Sequence, residues 1–142
     1  MSGFHFAERP DGILVYSFKD SEKNTIDDWV KKSLKIQEEY DTNHRHLRVI
    51  HQLPTGSLST TSPYAVRQTI SLVGSRSSTL SFSSAIIIPN LYFDMAVQYI
   101  NKRIPYSEHI HPFKDFEEAV TWLNERHRRF QQGLPLVSDD HI

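Results

Sequence analysis

The chain has 142 residues, of which 38% are hydrophobic and 11% aromatic, and this suits one globular domain with a buried core. The absence of cysteine excludes disulfides, a thiolate nucleophile and a thiolate zinc site. The net charge of -1 gives no general attraction for nucleic acid, and the longest aliphatic run, at 85–88, is too short to span a membrane. We therefore expect a soluble, cytoplasmic protein.

Two short apolar runs open the chain, and a turn formed by Pro10, Asp11 and Gly12 separates them. Proline fixes φ, aspartate bonds its own backbone and glycine accepts unusual dihedrals, so the sequence predicts a β-hairpin. A helix follows, with Thr25 as its predicted N-cap. Its apolar residues are spaced so that they fall on one half of the helical surface, which indicates an amphipathic surface helix.

The middle of the chain predicts two strands and a helix. Residues 46–53 are strand-like, and a hydroxyl-rich loop leads to Ser62 and Pro63, a typical helix start. This second helix should end at Gly74. It is expected to bury one set of residues and to present another set outward; the buried set is Val66, Thr69, Ile70 and Val73, and the outward set is Tyr64, Arg67 and Ser71.

A third strand-like run, 80–88, ends in consecutive aliphatic residues, which is typical of a strand covered on both faces. Asn90 is the predicted N-cap of a broadly apolar helix that reaches about residue 103. A short strand is predicted at 107–113. The last helix begins at Asp115, which with Glu118 approximates a capping box, and Gly133 is its predicted end. We interpret these carboxylates as helix caps rather than as acid/base catalysts.

The predicted order is β-β-α-β-α-β-α-β-α, which defines an α/β domain over residues 1–133 with a tail at 134–142. Its sheet should be mostly parallel and mixed, with the N-terminal hairpin as its antiparallel part. This order, and the ending "HPFKDFEEAVTWL" at 111–123, resemble the STAS domain of sulfate transporters and anti-sigma-factor antagonists. The resemblance is to small bacterial proteins of the SpoIIAA-like branch.

The resemblance implies a regulatory, protein-interaction domain without catalytic activity. In the signalling members, a serine beside an aspartate is phosphorylated in the turn after the central strand. The corresponding segment here is "PTGSLSTTSP" at 54–63, which has several hydroxyl groups but no Asp-Ser pair.

The loop is also a favourable place for a ligand in a parallel α/β sheet. Helices that follow parallel strands begin beyond the carboxyl ends of those strands, where ligands usually bind, and helix N-termini attract anions. The region 42–93 has four arginines, Arg45, Arg48, Arg67 and Arg76, and no carboxylate. We therefore predict an anion or phosphorylated partner at the loop 55–64. The predicted binding residues are Thr55, Gly56, Ser57, Ser59, Thr60, Thr61, Ser62, Tyr64, Arg67 and Asn90.

The histidines form two groups with spacings that could suit a metal, His109 with His111 and the set His44, His46 and His51. No carboxylate accompanies either group in the pattern of a known metal site, so we expect structural or solvent-facing histidines. His127 is expected to be a hydrogen-bonded residue at the rim of the last helix. The "RHRR" run at 126–129 is explained by the helix dipole, which favours cations at a C-terminus.

We expect a non-catalytic module with no cofactor, whose partner is a protein or a small anionic ligand, and not nucleic acid or a membrane. Whether it forms a homodimer stays open. The first alternative is a carrier of a small molecule or lipid, resembling CRAL-TRIO domains, with an apolar pocket lined by Phe93, Met95 and Tyr99. The second is a hydrolase, which would need a hydroxyl group within hydrogen-bond reach of a histidine in a cleft.

Overall fold

The fold is described from a computed structural model that covers residues 2–20, 22–53, 63–88, 94, 97–98, 101–102 and 107–136. The strands are β1 (Phe4–Glu8), β2 (Leu14–Phe18), β3 (Leu47–Gln52), β4 (Phe82–Ile87) and β5 (Ile110–Phe113). The helices described in full are α1 (Lys23–Thr42), α2 (Pro63–Gly74) and α3 (Phe116–Gln131), and a 3-10 turn (Ser107–His109) precedes β5. Residues 94, 97–98 and 101–102 are also helical.

The five strands form one mixed sheet in the order β1-β2-β3-β4-β5. β1 pairs antiparallel with β2, and every later pair is parallel. The α/β class, the mostly parallel sheet and the N-terminal hairpin are therefore confirmed. The register places Leu47 opposite Phe82 and Ser84 opposite Ile110, so the amino ends of β3, β4 and β5 lie at one edge of the sheet.

Helices cover the sheet on two faces because successive residues of a strand point to opposite sides. On one face, α1 and α2 pack through Trp29 and Leu72 onto Tyr16 and Val49. On the other face, α3 buries its own apolar residues against the sheet; the cluster consists of Ile13, Ile50, Ala85, Ala119, Val120 and Leu123. β4 is buried on both sides at Ser83, Ser84 and Ala85, as its central position requires.

The predicted N-cap of α1 is wrong. The helix begins at Lys23, and Thr25 lies fully buried inside its first turn. The Thr25 hydroxyl donates to Asp20 at 2.6 Å and accepts from the backbone N–H of Gly3 at 2.9 Å. Thr25 therefore ties the helix start to the first strand, a long-range role that helix periodicity does not reveal.

α2 begins at Pro63 and ends at Gly74, as predicted, but its buried face differs from the prediction. Ala65 and Leu72 are its most buried residues, whereas Val66, Thr69, Ile70 and Val73 are partly buried. The Tyr64 side chain does not point outward: it is half-buried and its hydroxyl donates to Asp27 of α1. The reason is that α2 packs against α1 as well as against the sheet, which rotates its buried face.

Both ends of α3 agree with the sequence. The Asp115 carboxylate accepts from the backbone N–H of Glu118 at 3.2 Å. At the other end, Gly133 has a φ of 71° and donates to the Phe130 carbonyl at 3.1 Å, and the next residue, Leu134, donates to the Arg129 carbonyl at 2.9 Å. These two bonds form a Schellman motif, which reverses the chain after the helix.

Candidate functional site

Most of the predicted binding loop lies outside the described residues, so its arrangement stays a prediction. The members concerned are Thr55, Gly56, Ser57, Ser59, Thr60, Thr61, Ser62 and Asn90. Of the remaining two, Arg67 is exposed on α2, and Tyr64 is bonded to Asp27. The residues proposed to line an apolar pocket, Phe93, Met95 and Tyr99, also lie outside the described part of the chain.

A group of polar side chains meets at the opposite edge of the sheet. His46 directly precedes β3, Ser83 is the second residue of β4, and His109 directly precedes β5. Because α3 starts beyond the carboxyl end of β5 and runs back along the sheet, its Arg126 and His127 reach the same place. We call these five residues the amino-edge cluster.

Arg126 is the centre of this cluster and is only 5% exposed. Its Nε donates to Ser83 Oγ at 2.6 Å and its Nη2 contacts His109 Nδ1 at 2.6 Å. Its Nη1 donates to the carbonyl of Leu136 at 3.2 Å, and the guanidinium lies 4.7 Å from the centre of the Trp122 ring. Burial lowers the pKa of Arg126 to about 10, which still leaves it charged at neutral pH. These three hydrogen-bond acceptors are neutral, so among the described residues no carboxylate is bonded to this buried positive charge.

His46 extends the cluster through both of its ring nitrogens. Its Nε2 lies 2.8 Å from Ser83 Oγ, and its Nδ1 lies 3.2 Å from Nδ1 of His127. The two imidazole rings stack with their centroids 5.4 Å apart, and the Phe130 ring lies 5.3 Å from that of His46. Burial lowers the pKa of His46 to about 3, and the positive charges of Arg48 and Arg126 act in the same direction. His46 is therefore neutral at physiological pH.

One arrangement of protons satisfies all of these hydrogen bonds. An arginine can only donate, so Ser83 and His109 accept from Arg126. Ser83 then donates its own proton to His46 Nε2, and His46 donates from Nδ1 to His127. In this arrangement all three histidines are neutral and carry one proton each. The guanidinium group thus sets the tautomer of His109 and binds the serine that contacts His46.

A second buried arginine, Arg48, lies beside the cluster and is also 5% exposed. It donates to Asn124 Oδ1 at 2.6 Å and to the Asp11 carbonyl at 2.7 Å. Its buried Nε has no hydrogen-bond partner among the described residues. Gly12 is needed here: its φ is 91°, and an added Cβ would lie 2.8 Å from Nη2 of Arg48. The α3 side of this edge therefore holds two buried guanidinium groups.

The Ser83–His46 distance is that of a nucleophile and its base, which is the geometry a hydrolase would need. Ser83, however, is fully buried, and its oxygen already accepts from Arg126. A second pair, Ser84 Oγ and His51 Nδ1 at 3.1 Å, lies on the other face of β4. Its imidazole packs among Tyr16, Phe18 and Trp29. Both pairs are parts of the packed interior in this conformation.

The helix-dipole interpretation of the "RHRR" run is wrong for Arg126, which is buried, although Arg128 is exposed and pairs with Glu125. The sequence did hold a signal for this. Arg126 follows Ala119 by seven residues and Leu123 by three, so it lies on the buried arc of α3. The prediction that His127 is a hydrogen-bonded rim residue is confirmed by its contact with His46.

Within the described residues, no three His, Asp or Glu side chains are arranged to hold a metal ion. No helix that the structure describes has the length and apolar character needed to span a membrane. In comparisons with known proteins, no family model, curated protein or solved structure matched this chain.

Proposed function

We propose that this chain is a non-catalytic binding module, of the regulatory kind implied by its resemblance to STAS domains, and that it recognises an acidic or phosphorylated partner. The observation that supports this is Arg126, a buried guanidinium whose hydrogen bonds, within the part of the chain that the structure describes, all go to neutral groups. An unpaired buried charge is expensive, and carboxylate or phosphate groups are its natural partners.

Of the described residues, the neighbourhood of Arg126 holds one carboxylate, that of Glu108, which lies 3.7 Å from His109 Nε2 and partly offsets the lowering of the Arg126 pKa by burial, but arginines outnumber it. The charges of Arg129 and Arg48 act on the two ends of the cluster and lower the pKa values of Arg126 and His127, respectively, in addition to the effect of burial. The C-terminal dipole of α3 opposes them with about half a charge, which is less than one arginine supplies. The α3 side of this edge therefore favours an anion.

The predicted loop site at 55–64 is the other location for such a partner. The starts of α1 and α3 carry more acids than bases: Asp20, Glu22, Asp27 and Asp28 accompany Lys23 at α1, and Asp115, Glu117 and Glu118 accompany Lys114 at α3. Arg67 is the exposed base on this side that the sequence singled out. The carboxylates repel an anion, so the described charges favour the amino edge over the loop.

Titration of the ¹⁵N-labelled protein with inorganic phosphate, followed by amide chemical shifts, tests the proposal and separates the two locations. For an amino-edge site, Arg129→Glu should weaken phosphate binding by about fivefold, because reversing one nearby charge is worth about 1 kcal/mol, and Arg67→Glu should have no effect. The reverse pattern would establish the loop 55–64 instead. No shifts at either place at millimolar phosphate would contradict anion recognition altogether.

A hydrolase is the second candidate, on the single observation that Ser83 Oγ lies 2.8 Å from His46 Nε2. Catalysis would require Ser83 to become accessible and to exchange its bond with Arg126 for one with substrate. Incubation with a serine-reactive fluorophosphonate, followed by intact-mass measurement, tests this directly. Labelling of the native protein that is lost in Ser83→Ala would favour the hydrolase.

A further inference from the structure

The described residues that follow α3, up to residue 136, fold back along the helix. The Schellman motif at Gly133 reverses the direction of the chain, and residues 134–136 then run beside the last turns. We call Leu134–Leu136 the C-terminal strap. Two of its carbonyls bind arginines of α3: that of Pro135 accepts from Arg129 Nε at 2.6 Å, and that of Leu136 accepts from Arg126 Nη1 at 3.2 Å.

The strap thus supplies oxygen atoms to two arginines of α3, Arg126 of the amino-edge cluster and Arg129. A carbonyl oxygen carries only a partial negative charge, so it satisfies the geometry of a guanidinium without neutralising it. Arg126 cannot move away to find a stronger acceptor, because Ser83 and His109 hold its other two nitrogens. An oxygen atom with a full negative charge would therefore bind these arginines more strongly than the strap carbonyls do.

We propose that Arg126 and Arg129 form a phosphate-binding site that the C-terminal strap covers, with the carbonyls of Pro135 and Leu136 standing where phosphate oxygens bind. This deepens the proposed function, on which it rests. Release of the strap exposes one donor on each arginine, and the planar guanidinium groups suit two oxygens of the same phosphate. The apparent affinity for phosphate is then the affinity of the open form multiplied by the fraction of molecules in which the strap is open.

Two glycine variants test the strap without touching the arginines. A Cβ added at Gly133 or at Gly74 would meet no atom within 4 Å, but only Gly133 has a positive φ, of 71°. Gly133→Ala therefore strains the turn that directs the strap, whereas Gly74→Ala is its matched control. We expect phosphate to bind about fivefold more tightly to Gly133→Ala than to the wild type, and Gly74→Ala to bind as the wild type does.

The readout is the side-chain Nε–H resonance of Arg126 and of Arg129, with the backbone amide of Leu136 as a reporter of the strap. Phosphate should shift all three in the full-length protein. Arg126→Lys, checked for folding by circular dichroism, keeps the charge but loses the planar fork and should weaken binding about tenfold. If that variant unfolds, the comparison of the glycine variants still decides the proposal.

Free phosphate and a phosphorylated partner present the same oxygens, so both are titrated. Tighter binding of a phosphoserine peptide than of inorganic phosphate identifies a phosphorylated partner as the source, and the reverse identifies the free ion. Equal phosphate affinity of Gly133→Ala and Gly74→Ala would overturn the strap-covered site. If shifts then appear at the exposed surface of α3 but not at Arg126 Nε, anion recognition survives and only this inference fails; no shifts on α3 remove both.

Discussion

The two ends of α3 use charge in opposite ways. At its start, the carboxylate of Asp115 accepts from the backbone, and Glu117 and Glu118 are exposed in the first turn. At its end, Arg126 is buried and bonded to side chains from β4 and from the turn before β5. The backbone N–H groups at the start of α3 are capped by a nearby, exposed side chain. The Arg126 side chain at its end is bonded to residues from distant parts of the chain.

This difference explains why a general rule about ligand sites does not transfer simply to this chain. Helix N-termini attract anions because their N–H groups are unpaired and their dipole is positive. At α3 those N–H groups face the chain's own carboxylates, which reduces the attraction. At the other end, full positive charges outweigh a partial negative dipole, and this is why we propose the amino edge as the place for an anion.

The largest expected effect is a fall in the free energy of unfolding in acid, and it arises from the buried cluster at the end of α3. The folded-state pKa of His46 is about 3, and that of an unfolded histidine is about 6.5. Below pH 6.5 the unfolded chain therefore binds a proton that the folded chain does not, so stability is complete above this pH and falls as the pH falls towards 3. His46 alone should remove about 2 kcal/mol by pH 5.

Burial also lowers the pKa of His51, to about 4, so it should contribute a loss in the same direction. Denaturant unfolding at pH 7 and pH 5 measures the total. His46→Gln should reduce the pH dependence, whereas Asp20→Asn at the other edge should not alter it. The hydrogen bond from Thr25 lowers the pKa of Asp20, so that carboxylate titrates only below its ordinary range. An unchanged pH dependence in His46→Gln would contradict the neutral, buried imidazole.

The second expected effect is the loss of Arg126. Arg126→Ala removes the donor that serves Ser83, His109 and Leu136 and also uncovers the Trp122 ring. We expect the free energy of unfolding to fall by about 2–3 kcal/mol, because several buried groups lose a partner together. The exposed Arg67→Ala should change it by less than about 0.5 kcal/mol. Equal denaturation midpoints for these two variants would show that Arg126 is not a structural centre.

The smallest expected effect concerns the start of α3. Asp115→Ala should lower the free energy of unfolding by about 0.5–2 kcal/mol, since it removes an N-cap acceptor. Glu125→Ala, which removes an exposed pair with Arg128, should be nearly neutral. Urea midpoints of the two variants measure the difference. If Glu125→Ala proved the more harmful, the capping role of Asp115 would be untenable.

The sequence predicted the features that depend on local chemistry. The hairpin turn, the start of α2 at Pro63, the cap at Asp115 and the end at Gly133 all follow from residues within a few positions of each other. Alternation and helical spacing also predicted the α/β class and its mostly parallel sheet. These signals belong to short segments, and short segments are what a single sequence displays.

The amino-edge cluster was not predicted because its members come from distant parts of the chain. His46 and His127 are 81 residues apart, and Ser83 and Arg126 are 43 residues apart. Periodicity places Arg126 on the buried side of α3, but it does not say which polar group will receive it. The inward turn of Tyr64 and the bonds of Thr25 were missed for the same reason, since both depend on contacts between elements.

The strand order has a consequence for how this protein folds. Each strand pairs with the one before it in the chain, so the sheet can grow from β1 to β5 as the chain leaves the ribosome. The face under α3 is different, because among the helices described in full only α3, at residues 116–131, covers Ile13, Ile50 and Ala85. A nascent chain that stops before α3 should therefore expose an apolar surface and bind chaperones. The completion of that surface by the last helix would be the late step of folding.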